Sequence, residues 1–304
     1  MSEPEADGRA ESIRHRLRNT LRARGEDVSV GLQRYAAERF LYRLGRSVHR
    51  ERFVLKGATL FAIWGNAYRP TRDLDFTGYG SAAPEAVITA MREICDTPDV
   101  VDQLVFNTGS ITADPIRDGS EYPGLRIEIT AGLGASRIPL QIDIGFGNAI
   151  VPGPEEVEFP SVLGDPSPRI LVYPQVSVVA EKLHAMVTLG EQNSRYKDFY
   201  DLHAMASVFS FERSTLEAAV RATFERRLTP VEPAIPGALT GAFYARASRA
   251  AQWRAYVTRN NLIGAPADFV LVGEQIIRFL EPVWESLSSG SVRLGDWKDG
   301  GPWR

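Results

Sequence analysis

Apolar residues near the start of the chain recur at the helical period. Leu32, Tyr35, Ala36, Phe40, Leu41 and Leu44 fall on one face, and residues 9 to 46 read as two helices. The period then changes. Arg52 to Leu55 is a short strand candidate that runs into Lys56-Gly57 and an apolar helix through Trp64; Pro70 marks a turn, and Asp73 to Thr77 is a second strand. Pro84 to Cys95 predicts a helix with proline near its first turn. Three strands follow, around Leu104 to Thr112, Leu125 to Thr130 and Ile138 to Phe146. Leu125, Ile127 and Ile129 share one face, as do Ile138, Leu140, Ile142 and Ile144. Residues 152 to 174 are rich in proline and predict a linker with one short strand at Ile170 to Val172. Helices are expected over 175 to 189, 195 to 208, 212 to 227, through a basic stretch to 259, and over 266 to 287. The glycine-rich tail from Ser288 is expected to fray. This order predicts an α/β (α+β) fold, with a strand-rich core and N-terminal helices over residues 1–165 and a mainly helical C-terminal domain over 166–304.

A chain of 304 residues with 44% hydrophobic content can bury a substantial core. Cys95, the single cysteine, excludes an internal disulfide framework and fits a reducing compartment. Met1 to Arg24 is polar and arginine-rich, so no secretory signal is expected. No apolar run reaches the roughly 18 residues of a membrane span, and the expectation is a cytoplasmic protein with no membrane partner. The net charge of −3 makes no global case for nucleic acid. The distribution says more. Arg9, Arg14, Arg16, Arg18, Arg22 and Arg24 face only Glu11, and a second cluster holds Arg221, Arg226, Arg227, Arg246, Arg249, Arg254 and Arg259. Such patches suit a phosphate-bearing partner, or are solvated helix faces. Lysine is rare: of 35 basic residues only Lys56, Lys182, Lys197 and Lys298 are lysine. A chain that elsewhere chooses arginine keeps lysine where a compact, mobile charge is useful, as beside a phosphate.

Four segments concentrate the chemistry. In Phe53-Val54-Leu55-Lys56-Gly57-Ala58-Thr59-Leu60 a strand enters a glycine and then a helix, which presents backbone N–H groups suited to a phosphate. In Arg69-Pro70-Thr71-Arg72-Asp73-Leu74-Asp75-Phe76, Asp73 and Asp75 stand at i and i+2 of a strand, project the same way and can share a divalent metal. Carboxylates so close repel unless a cation, water or a proton relieves them. Magnesium suits such sparse oxygen sets, completing its octahedron with water and substrate phosphates. Leu140-Gln141-Ile142-Asp143-Ile144-Gly145 sets an acid in an apolar strand. Asp143 is either solvent-facing or a third carboxylate that completes a site for two ions. In Val178-Val179-Ala180-Glu181-Lys182-Leu183-His184-Ala185-Met186, an inward stripe of Val179, Leu183 and Met186 flanks Lys182. That lysine has no acid at i±4 and is either a snorkelling surface residue or a phosphate ligand; His184 reads as structural or surface. Last, Arg195-Tyr196-Lys197-Asp198-Phe199-Tyr200-Asp201-Leu202 puts Asp198 and Asp201 on one helix face, as an ion-pair network or part of a site.

In order and spacing these segments, from Phe53 to Leu202, resemble the AbiEii family of nucleotidyltransferase toxins, which includes the MenT toxins of mycobacteria. The resemblance implies a minimal nucleotidyltransferase core of the polymerase-beta type with a helical C-terminal part. It implies that Gly57 belongs to the phosphate-binding turn, that Asp73 and Asp75 bind metal, that Lys182 contacts the nucleotide phosphates, and that Asp198 is a further active-site residue. Ala58 departs from the family, in which a second small polar residue or glycine often follows the turn. The catalytic candidates are therefore Asp73, Asp75, Lys182 and Asp198. The substrate-binding candidates are Lys56, Gly57, Thr71, Asp143, Lys197 and Asp201, and the metal candidates Asp73, Asp75 and Asp143. The implied cofactor is Mg2+, with Mn2+ as the alternative, and the substrate an NTP. The implied activity is nucleotide transfer to RNA, with the tRNA 3′ end as acceptor and a block of translation as the result. The implied partner is a separately encoded antitoxin, of a winged-helix type in many relatives. Alternatives are a small-molecule hydroxyl acceptor and a catalytically inactive nucleotide- or partner-binding module. Tyr244, Trp253 and Tyr256, beside basic neighbours, are candidates for stacking on unpaired bases.

Overall fold

The computed structural model describes residues 3–65, 71, 73–98, 102–116, 124–262, 264–290 and 295–304, with side chains from Gly8 onward. Arg69, Pro70 and Arg72 lie outside the described residues, and with them the expected turn at Pro70. The described strands are β1 (Phe53–Lys56), β2 (Asp73–Gly78), β3 (Val105–Pro115), β4 (Gly124–Leu133), β5 (Ser136–Phe146), β6 (Glu155–Glu158) and β7 (Arg169–Val172). They form one sheet in the order β3-β4-β5-β2-β1-β7-β6. The longer helices are α1 (Glu3–Ala23), α2 (Val28–Arg46), α4 (Pro84–Cys95), α5 (Gln175–Leu189), α6 (Tyr196–Val208), α7 (Arg213–Arg226), α9 (Ala247–Arg259) and α10 (Phe269–Ser289), with short α3 (Phe61–Trp64) and α8 (Gly241–Tyr244) between them. The mixed α/β core followed by helices is thus as expected. The chain divides into two compact units, one holding the sheet with α1, α2 and α4, the other holding Asn148–Pro154 and everything from Tyr173 to Arg304.

In the first unit, alternation does the sorting. Leu125, Ile127 and Ile129 of β4 and Ile138, Leu140, Ile142 and Ile144 of β5 are all buried, while the residues between them are exposed or half-buried. α1 lays down a stripe of Ala10, Ile13, Leu17 and Leu21 at helical spacing, and Asp27 caps α2 by accepting from the backbone N–H of Ser29 and Val30. The helix expected after Gly57 is split: Gly57–Leu60 is a 3-10 turn, and only Phe61–Trp64 is α-helical.

The proline-rich stretch is not a linker. It supplies two strands, β6 and β7, paired antiparallel, and β7 joins the sheet parallel to β1. Prolines stand on both sides of β6, where they spare its ladder hydrogen bonds, which is why composition alone reads as linker. The segment between β6 and β7 is tied to α2. The buried Glu38 carboxylate accepts from the Val162 N–H at 2.7 Å and the Ser161 hydroxyl at 2.9 Å, and Arg39 donates to the Pro166 carbonyl at 2.9 Å. Arg43 in turn donates to Asp102, so a buried carboxylate–guanidinium chain lies under α2.

The second unit is built on aromatic packing. Tyr196, Phe199, Phe243, Tyr244, Trp253 and Phe269 stack at centroid separations of about 5 to 6 Å. Tyr244 and Trp253 are therefore core residues, 1% and 0% exposed, and cannot stack on bases as the sequence suggested; Tyr256 is half-buried against Trp253. The second basic cluster is partly consumed as well. Arg249 is buried over the Phe243 ring and donates to the Asn193 and Glu191 carbonyls, Arg246 pairs with Glu191, and Arg227 with Glu181. The tail does not fray over its described part. Trp297 is fully buried, its indole N–H donates to the Ala206 carbonyl at 2.8 Å, and Trp303 stacks on Phe279.

Candidate active site

The parallel pairing of β2 with β5 decides where the acids of the first unit meet. In that register Asp73 lies beside Gln141 and Asp75 beside Asp143. Pairing of β5 with β4 extends both rows, setting Gln141 opposite Glu128 and Asp143 opposite Arg126, while β1 sets Lys56 opposite Asp75. Neighbouring strands lie about 4.8 Å apart, so one face of the sheet carries a row Lys56-Asp75-Asp143-Arg126 and, two residues along, a row Asp73-Gln141-Glu128. The opposite face carries Leu74, Phe76, Ile142 and Ile144, all buried. Among the described residues acids outnumber cations on the polar face, and Asp73, Asp75 and Asp143 are half-buried rather than fully solvated.

The turn after β1 closes on this face. Gly57 has φ of +74°, a conformation that favours glycine, and a Cβ at that position would collide with the Asp75 carboxylate. No other residue type fits there. Ala58, the departure from the family pattern, is not among the residues of positive φ, so the turn accepts it. Thr59 donates to the Asp73 carbonyl at 3.3 Å and Thr71 reaches the same oxygen at a long 3.5 Å, so both hydroxyls support the backbone at Asp73. Asp143 is clamped: Arg126 donates from Nε to Oδ1 at 2.9 Å and from Nη2 to Oδ2 at 2.8 Å, and Gln141 adds a longer contact at 3.3 Å. These hydrogen bonds raise the Arg126 pKa above its already high ordinary value. Beside Asp73 opens a pocket of about 370 Å³, lined by Gln33, Ser110, Thr112, Glu128, Thr130 and Gln141 among others.

The donor set fits a hard divalent cation at Asp73 and Asp75. Two carboxylates share one strand face, and the missing side chain at Gly57 leaves Asp75 its space. No group of three or more His, Cys, Asp or Glu is gathered as a metal cluster among the described residues, and Asp143, the third candidate, has both oxygens engaged by Arg126.

In the second unit Lys182 projects from α5 and is only 11% exposed along its side chain. Its ammonium donates to Asp198 Oδ1 at 2.8 Å and Asp201 Oδ2 at 2.7 Å, both on α6. The acids missing at i±4 thus come from the next helix. Arg195 closes the cluster, 2.8 Å from the other Asp198 oxygen. Burial pushes the Asp198 pKa up, but the charges of Lys182 and Arg195 outweigh it and hold the carboxyl below its ordinary value. Asp198 also stands in the first turn of α6, where the helix dipole favours an anion. Lys197 points outward and is exposed. His184, two residues beyond Lys182, is buried: Arg227 can only donate, so Nδ1 accepts from it at 3.1 Å and Nε2–H donates to the Thr229 hydroxyl at 2.9 Å. Burial first and the Arg227 charge second lower its pKa to about 4.

The family profile described as Nucleotidyl transferase AbiEii toxin, Type IV TA system, matches residues 39–270. The chain belongs to the AbiEii family. The match takes in both clusters and most of each unit. Two solved structures from Helicobacter pylori are similar to this AbiEii chain. One, a candidate nucleotidyltransferase, is 14% identical, with 84% of this chain and 95% of that chain covered at a TM-score of 0.49. The other, JHP933, is 13% identical, with 82% and 89% covered at a TM-score of 0.48. No curated protein matches the chain. No described helix of this family member is long and apolar enough to cross a membrane.

The sequence candidates fall into two groups: Lys56, Gly57, Thr71, Asp73, Asp75 and Asp143 on or beside the sheet face, and Lys182, Asp198 and Asp201 in the helical cluster, with Lys197 outside it. Sequence reasoning missed Arg126, Gln141 and Glu128 as members of the face. The signal was present: they sit at the polar positions of two well-alternating strands, but only the register names their partners.

Proposed function

We propose that this chain transfers a nucleotide from an NTP to an RNA acceptor, with the tRNA 3′ end as the target and arrest of translation as the consequence. The observation that carries this reading is the register of β2 against β5, with Asp73, Asp75 and Asp143 on one half-exposed face. Asp73 and Asp75 are the residues to hold magnesium, or manganese in its place, and Asp143 is the third ligand. Such an ion, when bound, neutralises phosphoryl oxygens as negative charge builds on them. The chain's own residues bind and orient. The glycine turn gives the nucleotide close approach to backbone N–H groups, with Lys56 and Thr71 at its flanks. Lys182 is assigned to the nucleotide phosphates, its ammonium fixed by Asp198 and Asp201, and Lys197, whose charge acts on Asp198, stays a substrate-binding candidate. The pocket beside Asp73 takes the acceptor hydroxyl.

For RNA, the support is α1. Its apolar stripe is buried, and Arg9, Arg16, Arg22 and Arg24 stay exposed, Arg16 with a 3.5 Å contact to Asp165. The partner is an antitoxin, as the type IV family description implies, with a winged-helix form as the expectation, and the working compartment is the cytoplasm. A second reading, transfer to a small-molecule hydroxyl, is favoured by the modest pocket of about 370 Å³, which suits one sugar ring.

The deciding experiment gives purified protein each labelled NTP with Mg2+, total tRNA in one set and hydroxyl-bearing antibiotics in another. Label on tRNA, lost with EDTA, is the expected result; label on no RNA with any NTP overturns the RNA reading, and label on an antibiotic puts the second reading first. Charge reversal at Arg16, Arg18 and Arg22 together is expected to lower tRNA labelling about tenfold or more at physiological salt while the KM for NTP stays unchanged. Normal tRNA labelling by that variant would remove α1 from the interface.

A further inference from the structure

Arg126 stands on the acidic sheet face, and its contacts already do what a metal would do. It stands on β4 opposite Asp143, and both of its hydrogen bonds go to that carboxylate, at 2.9 and 2.8 Å. A bidentate guanidinium occupies the edge of the carboxylate that a cation would use. Asp143 in turn lies in register with Asp75, one strand spacing away, with Asp73 two residues along the strand from Asp75. Three carboxylates this close need a compensating cation.

The clamp is also built to let go. The Arg126 side chain is 44% exposed and Asp143 only 20%, so the guanidinium can leave for solvent or a ligand while the carboxylate stays in place on its strand. An ion pair this exposed adds little to stability. A guanidinium released at this point stands beside the face where a triphosphate is expected, and its planar fork suits phosphate oxygens as well as carboxylate.

We propose that Arg126 is a latch on the third carboxylate: it holds Asp143, yields it to a divalent cation, and turns its guanidinium to the nucleotide phosphates. The inference rests on the nucleotidyltransferase reading and makes Arg126 a nucleotide-contacting residue that also governs Asp143. Two measurements separate it from a structural salt bridge. Mn2+ binding to full-length protein without nucleotide, followed by electron paramagnetic resonance, is expected to tighten about threefold to fivefold in Arg126→Gln, because the competitor for Asp143 is gone. In the same variant the KM for NTP is expected to rise about tenfold with a smaller change in kcat, and Arg126→Lys is expected to recover part of that loss. Circular dichroism checks the fold, and Arg126→Lys, which keeps the charge but loses the fork, carries the test if Arg126→Gln does not fold. If wild type and the variants bind Mn2+ equally well, the latch is overturned and the nucleotidyltransferase reading stands. Failure of wild type to bind Mn2+ at all would overturn both.

Discussion

The two clusters of this chain handle charge in opposite ways. On the sheet face the acids outnumber the cations among the described residues, and the carboxylates are half-buried. In the helical cluster Lys182 and Arg195 match Asp198 and Asp201 one for one, and the Asp198 and Asp201 side chains are 3% and 0% exposed. A surplus of accessible acid is an unfinished arrangement that a cation completes. A balanced set with buried carboxylates is finished, and its contribution is to hold an ammonium at a fixed place. The difference teaches that two clusters of charged residues need not have the same role: one group is poised for ligands, the other for position.

The largest effect is expected where the surplus is removed. Asp73→Asn or Asp75→Asn should lower nucleotide transfer by at least about a thousandfold, while the thermal midpoint holds or rises because a like-charge repulsion is gone. A variant with near-normal transfer in Mg2+ would break the assignment, and a large fall in midpoint would show that the open face is structural after all.

The balanced cluster should answer the other way. Lys182→Ala leaves two buried carboxylates without their shared cation and should cost about 3 to 5 kcal/mol of stability as well as most activity. Neutralising Lys182, Asp198 and Asp201 together should restore much of the stability, read by urea unfolding, and none of the transfer. Lys182→Arg is expected to recover only part of the activity, since a planar fork cannot reproduce a point charge held between two helical acids. Full recovery would show that position 182 asks only for charge.

The smallest effect concerns pH. An unfolded histidine titrates near 6.5, whereas His184 in the fold titrates at about 4. Between those values the unfolded chain holds more protons, so this contribution to stability is whole above about pH 6.5 and is lost as pH falls toward 4. Burial depresses His203 in the same direction, so the comparison is between wild type and His184→Gln. The variant should show the shallower loss of midpoint from pH 7 to 5, and parallel curves would remove His184 from the balance.

Much of this was legible in the sequence, and the reasons differ by region. α4 and α5 were placed at their observed ends, α4 with Pro84 in its first turn. Asp73 and Asp75 could be paired from spacing alone, because i and i+2 of a strand share a face in any register. Arg126 could not be named, since a partner across strands depends on register, which local pattern leaves free. Tyr244 and Trp253 misled for a related reason. A large amphipathic ring among arginines suits a base or a core equally, and the helical packing around Phe199 and Phe269 decided for the core. The proline-rich stretch hid β6 because its prolines fall outside the paired residues.

The parallel pairing of β2 with β5 has a consequence in time. A parallel pair needs a long crossover, and here α4, β3 and β4 are all made between the two strands. A chain leaving the ribosome therefore exposes Asp73 and Asp75 well before the strand carrying Asp143 exists to set beside them. Pairing between residues so distant in the chain is slow and comes late in folding. Every nascent copy thus passes through a stage in which its first acids are present and the face they belong to is not.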